Sequence, residues 1–261
     1  MAETLRGKTA LITGASSGLG ADFARQLAER GCNLILAARR MERLQELQAE
    51  ITAKHNVYVE CMAIDLLEEN AAQQLYNQIK DGGKVVDVLV NNAGLGLYGE
   101  FWTNPCERLH QMLELDMVVL TDLTRLFIPD MLTRNFGYIL LIGSTGSFQP
   151  TPTYAAYAAA KSYVLSFGEA LHYELRQSAV KCTVLCPGVT RTEFLEVAGQ
   201  QMTAFQRQSM MESADVVRIG IEAMLKGRSS VVAGWLNAFL ALGTRLLPRQ
   251  TLAATTSRLM K

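Results

Sequence analysis

Short unbroken apolar runs alternate along this chain with longer stretches in which apolar positions return every three or four residues. The runs are Thr9–Thr13, Asn33–Ala38, Tyr58–Ala63, Val86–Asn91, Tyr138–Ile142, Lys181–Cys186 and Ser230–Ala233. Most are rich in Leu, Ile and Val and lack polar alternation, which predicts strands buried on both faces. The helical periodicity covers Gly18–Arg30, Met41–Lys54, Glu68–Lys80, Glu107–Thr133, Tyr154–Gln177 and Ala214–Leu225, with Gly31 and Gly227 placed as C-terminal stops. Strand–helix alternation of this kind predicts a parallel sheet covered by helices on both sides. No repeat, low-complexity stretch or linker divides the pattern. One domain over 1–234 is expected, followed by an amphipathic tail over 235–261.

Composition narrows the classes without choosing among them. The 261 residues are 49% hydrophobic and 19% charged, with 25 Lys+Arg against 25 Asp+Glu. That balance fits a soluble globular protein and gives no support to nucleic-acid binding, which a basic excess accompanies. The five cysteines form no C-x-x-C pair, and the three histidines have no metal-ligand spacing. Buried free thiols and no metal are expected. The opening residues carry no apolar segment followed by a small-residue cleavage site, so a cytoplasmic enzyme is the expectation.

Chemistry first shows in TGASSGLG, Thr13 to Gly20, between the first strand and the first helix. Glycines at Gly14, Gly18 and Gly20 permit a tight turn whose backbone N–H groups, with Ser16, Ser17 and Leu19, can approach a pyrophosphate at a helix N-terminus. The second strand ends Ala37-Ala38-Arg39-Arg40, where an NAD-preferring domain carries an acid for the ribose 2′-hydroxyl. Arginine's planar fork suits a 2′-phosphate instead, so NADP(H) is the expected cofactor.

Further on, TYAAYAAAK over 153–161 sets two tyrosines and a lysine on one helical face. At ~1.5 Å rise per residue, Tyr157 lies about 6 Å along the axis from Lys161 and Tyr154 about 10 Å, which favours Tyr157 as the phenol under the ammonium's influence. With the glycine loop, the NNAG run Asn91–Gly94 and Y-x-x-x-K at Tyr157–Lys161 in this order, the chain resembles a short-chain dehydrogenase/reductase, from about Lys8 to Gly234. The resemblance implies a single Rossmann-like, doubly wound α/β domain with a seven-stranded parallel sheet. It assigns Ser144, thirteen residues before Tyr157, and Lys161 to catalysis beside Tyr157. It gives Asp65 and Leu66 to the adenine, Asn91, Asn92, Ala93 and Gly94 to the adjoining ribose, and Pro187, Gly188, Val189 and Thr192 to the nicotinamide end. Where the family carries an asparagine in the long helix after the fourth strand, this chain has Asp116, which keeps an acceptor oxygen, loses the amide donor and is expected to be paired or protonated.

In that framework Tyr157 exchanges a proton with the substrate oxygen, its phenolate stabilised by Lys161 and the oxidised nicotinamide. Ser144 hydrogen-bonds the carbonyl. The loop 189–213 is the family's variable substrate segment. Phe194, Met202 and Phe205, with Leu95, Tyr98, Phe148 and Tyr154, suggest a bulky hydrophobic ketone or aldehyde interconverted with its alcohol. Reduction of 3-oxoacyl thioesters is the rival among enzymes, and a non-catalytic NADP-binding sensor the rival outside them. A homo-dimer or homo-tetramer is expected. For the tail, with Trp235, Leu236, Phe239, Leu240, Leu242, Leu246 and Leu247 on one face, three roles stand open: a cover on the cleft, an oligomer contact, or peripheral contact with a membrane.

Overall fold

The first strand sits inside the sheet rather than at its edge, and that placement creates the site. In the computed structural model, which describes residues 5–259, β1 (Thr9–Thr13) pairs in parallel with β2 (Asn33–Ala38) on one side and with β4 (Val88–Asn91) on the other. The remaining strands are β3 (Val59–Ala63), β5 (Gly137–Ile142), β6 (Val180–Cys186) and β9 (Ser230–Val232), and the seven run in the order β3-β2-β1-β4-β5-β6-β9. The chain therefore winds outward from β1 to β3, returns past β1, and winds the other way. The reversal opens a crevice beyond the carboxyl ends of β1 and β4, where open α/β sheets bind ligands.

Successive strand residues feed opposite cores, which is why the apolar runs show no alternation. Ile12, Leu34 and Leu36 pack with Phe23, Leu27, Leu44 and Ile221 beneath α1 (Gly18–Glu29), α2 (Met41–Lys54) and α9 (Ser213–Leu225). Leu11 and Ile35 pack with Leu75, Ile79, Phe127, Met131 and Val164 under α3 (Ala71–Asp81), α5 (Leu120–Thr133) and α6 (Ala155–Glu174). Both faces of the sheet are dry.

The single helix expected over Glu107–Thr133 is three pieces: α4 (Cys106–Leu113), a π-helical turn over Glu114–Val119, and α5. Single π turns inserted in α-helices occur often at functional sites, and this one holds Asp116. The loop 189–213 carries structure that its sequence did not announce. Strands β7 (Thr190–Arg191) and β8 (Met211–Glu212) clamp its base, and short helices α7 (Phe194–Val197) and α8 (Ala204–Ser209) lie between them. The tail forms α10 (Trp235–Gly243) and α11 (Arg249–Leu259). Among the described residues, no helix is long and apolar enough to cross a membrane.

Candidate active site

The crevice is a cleft of about 440 Å³ that runs from the glycine loop, past Arg39, Arg40, Asp65 and Leu66, to Ser144, Tyr157, Lys161 and the loop 187–206. Its first wall is held by threonine and asparagine. The Thr13 hydroxyl oxygen accepts from the N–H groups of Asn92 and Ala93, both at 3.0 Å, and the Asn92 amide donates to the carbonyls of Thr13 (2.8 Å) and Gly14 (3.2 Å). The loops after β1 and β4 are thus tied to each other. Gly14 has φ +64°, and a Cβ there would lie 2.9 Å from Ala93 Cα. Only glycine permits both the left-handed turn and the close approach. Gly20 is not on the cleft wall; a Cβ on it would overlap the Gly14 carbonyl oxygen, so it lets α1 start tight against the loop.

The expected residues do not all reach the cleft. The Asn91 amide turns back and donates to Thr124 Oγ1 (2.9 Å) and the Leu120 carbonyl, tying β4 to α5. Phe148 is half-buried and packs against the core beside the sheet, Tyr98 meets the Tyr154 ring at a tilt behind the wall, and Met202 is half-buried off the cleft. The side chain of Phe205 lies outside the described residues. Leu95, Tyr154 and Phe194 do line the cleft. Arg40 donates to the hydroxyls of Ser16 and Ser17 and pairs with Glu193 at 3.3 Å, while Arg39 is largely exposed, 3.8 Å from Asp65. Both guanidiniums thus border the end of the cleft lined by Asp65 and Leu66.

At the other end Ser144, Tyr157, Lys161 and Asp116 come together. The Tyr157 and Ser144 side chains meet at this end of the cleft, and Ser144 Oγ accepts from Gly146 N–H at 3.0 Å. Lys161 Nζ lies 3.0 Å from Asp116 Oδ2 and donates to the Ile142 carbonyl at 3.2 Å. The other Asp116 oxygen accepts from Leu95 N–H at 2.8 Å. Asp116 is therefore paired: one oxygen is hydrogen-bonded by Leu95 N–H, and the other is in ion-pair contact with Lys161 without an aligned donor. Gly94 crosses directly over this pair, where a Cβ would stand 2.9 Å from Asp116 Oδ1 and 3.3 Å from Lys161 Nζ. The NNAG run ends in glycine for that steric reason.

The electrostatics depart from the sequence expectation. Burial, first, and then the Asp116 carboxylate push the Tyr157 phenol well above its ordinary range, and the Ser144 hydrogen bond opposes them. Burial likewise raises the Asp116 carboxyl, against Lys161 and the Leu95 N–H. Within the protein alone Lys161 is answered by Asp116, so the lowering expected from the lysine is not realised.

Aromatic rings form one wall of the cleft. Tyr154, Tyr157 and Phe194 follow one another at centroid distances of 5.6 and 5.4 Å, and Tyr98 backs Tyr154 at 5.3 Å. Gly96 makes room for Phe194, whose ring a Cβ would overlap. Sequence reading passed over two glutamines here. Gln200 Oε1 accepts from the Tyr154 hydroxyl (2.8 Å) and from Gln206 Nε2 (3.0 Å), and Gln206 Oε1 accepts from Thr203 N–H (2.9 Å). Both line the cleft. The T-x-x-Q capping signature of α8 marks Gln206 as a cap, while nothing local marks Gln200.

The short chain dehydrogenase family model matches residues 8–203. The chain belongs to that family. It is an oxidoreductase with the family's fold, and the order β3-β2-β1-β4-β5-β6-β9 is how this member builds it. An uncharacterized oxidoreductase of Myxococcus xanthus is 29% identical over 252 residues, 97% of each chain. A very-long-chain 3-oxoacyl-CoA reductase of Anas platyrhynchos is 27% identical over 245 residues, covering 91% of this chain and 77% of the relative. Among solved structures, a short-chain dehydrogenase from Sphingobium yanoikuyae in complex with NADPH has a TM-score of 0.83 and 30% identity, over 92% of this chain and 94% of that one. The residues present here fit a dinucleotide: the loop backbone is bare of side chains at Gly14 and Gly18, α1 starts at that loop, and two arginines line the same end of the cleft.

Proposed function

We propose that the protein interconverts a bulky hydrophobic ketone or aldehyde and its alcohol with NADP(H). The observation that carries the reading is the convergence of Ser144, Tyr157 and Lys161 at the end of a cleft whose far end is the glycine loop. The pyrophosphate would lie along Gly14–Gly20, the 2′-phosphate by Arg39 and Arg40, the adenine by Asp65 and Leu66, and the nicotinamide by Pro187–Thr192. When bound, the nicotinamide supplies or accepts the hydride.

The chain's own residues supply the rest. Ser144 Oγ, fixed by Gly146 N–H, keeps its proton free to donate to a carbonyl oxygen beside Tyr157. The raised phenol is an acid held ready, and Tyr157 gives its proton to the oxygen as charge develops there. Lys161 Nζ donates to the Ile142 carbonyl and is in ion-pair contact with Asp116, and a remaining N–H would serve the nicotinamide ribose. The aromatic wall and Phe194 exclude water from the reacting carbon.

The thioester reading has the 3-oxoacyl-CoA reductase relatives in its favour. Against it, the basic residues lining the cleft are Arg39, Arg40 and Lys161, and none stands on the substrate loop where a carrier phosphate would need a partner. The test is a panel of aryl, alicyclic and 3-oxoacyl carbonyls with NADPH, followed by loss of nicotinamide absorbance. Turnover of bulky ketones is expected; turnover confined to thioesters, or none, overturns the proposal.

A further inference from the structure

Helix α10 is attached the wrong way round for a helix on a globular surface. It docks through its small and polar side: Ala241 is buried, and Asn237 donates to the Ala233 carbonyl at 2.8 Å and abuts Gly188. Its large apolar side faces out, with Trp235 82% and Phe239 69% exposed, and the turn after it adds Leu246 at 84%. A surface helix ordinarily does the reverse. Nor does the helix cover the cleft, since no described residue of the tail lines it.

We propose that this face docks on the surface of an anionic lipid bilayer. Charge separates the tail from the body. Residues 235–261 hold Arg245, Arg249, Arg258 and Lys261 and no acid, so the tail carries +4 and the rest, 21 basic against 25 acidic, carries −4. Arg245, Arg249 and Arg258 are exposed, and none is in an ion pair among the described residues. Apolar side chains with an indole, flanked by arginines and free of carboxylates, match the boundary between acyl chains and anionic headgroups. A second copy is the poorer partner, because a two-fold contact sets the same face against itself and brings like charges together with no acid between them. At 9 and 11 residues α10 and α11 fall short of the ~20 that a span requires, so the helix lies in the interface plane. Because Asn237 lies against Gly188 beside the cleft, docking would bring the cleft close to the lipid.

The test uses the full chain with Trp102→Phe, leaving Trp235 as the one indole of the two in the sequence. It is mixed with vesicles of phosphatidylcholine, or of a three-to-one mixture of phosphatidylcholine and phosphatidylglycerol, without substrate, so that the result is independent of the proposed reaction. Co-sedimentation with the anionic vesicles alone, a blue shift of Trp235 emission and release by salt are expected. Arg245→Gln, Arg249→Gln and Arg258→Gln together should weaken partition on the order of a hundredfold. Trp235→Ser with Phe239→Ser and Leu246→Ser should abolish it, with circular dichroism and nucleotide binding retained. Equal binding to neutral vesicles, or no binding to either, overturns the proposal. So does a serine variant that turns an oligomer into a monomer while the parent ignores vesicles, which would make the face an interface between copies.

Discussion

Two tyrosines one helical turn apart meet different fates because their hydroxyls find different partners. Tyr157 faces the cleft with Ser144 and Lys161, while the Tyr154 hydroxyl is spent on Gln200. Tyr157→Phe should therefore abolish turnover with cofactor affinity nearly intact. Tyr154→Phe should keep most activity and lose about 1 kcal/mol of stability. Steady-state kinetics with cofactor titration reads both, and equal losses of activity would remove Tyr157 from proton transfer. Asp116→Asn tests the third partner. Removing the carboxylate takes away a charge that holds the Tyr157 phenol up, so the limb of the pH–rate profile that reports the phenolate should move to lower pH. The value read belongs to the Tyr157–Lys161–Asp116 unit as a whole. An asparagine must also turn its NH₂ toward either Leu95 N–H or Lys161, so unfolding in urea should show a loss of about 3 kcal/mol. A profile unmoved in either limb would show that the carboxyl carries no charge the pair senses.

Between elements, the clearest polar tie joins α1 to α2. Arg25 meets Glu50 at 2.8 Å, and Lys54 meets the same carboxylate at 3.0 Å. Arg25 first, then Lys54, lowers Glu50 from 4.5 to about 2. A depressed carboxylate contributes stability that is complete above its unfolded value and is lost as pH falls, here between about 4.5 and about 2. Glu50→Gln should therefore lower the melting temperature slightly at neutral pH, the pair being partly solvated, and the gap to the parent should close through that acid window. Thermal scans at several pH values check it; a gap that widens in acid contradicts the tie.

Over the whole molecule, the cofactor is expected to act as a tie between the two halves of the sheet, from the loop after β1 to the loop after β6. Binding to the folded chain alone at a hundredfold excess over Kd adds about 2.7 kcal/mol, or roughly 5–10 °C of melting temperature for a domain of this size. NADPH should give that shift and NADH, at equal concentration, about half of it if the arginine contacts are worth tenfold in affinity. Arg39→Ala and Arg40→Ala should each narrow the difference. Equal shifts in the parent would take both arginines out of 2′-phosphate recognition.

Local pattern determined much of this protein. Apolar runs and 3.6-residue periodicity located all seven sheet strands and, apart from the segment that the π turn divides, the main helices within a few residues, because the five inner runs are buried between two helical layers whatever their neighbours are. The glycine loop and Y-x-x-x-K were legible for a similar reason: their chemistry depends on spacing within a single turn or helix. Tertiary structure alone decided the rest. Asn91 turned to α5 rather than the cleft because Thr124, 33 positions away, offered a partner. Phe148 packed against the core instead of the cleft, and Gln200 became the wall's polar anchor through Tyr154, 46 positions earlier. Tyr157 became a weaker acid rather than a stronger one, because burial and the Asp116 carboxylate, which also answers Lys161 45 residues further on, hold its proton on. Sequence spacing carries no information on which distant side chain fills a given space. Burial and pairing energies depend on that, and they are set only when the sheet closes.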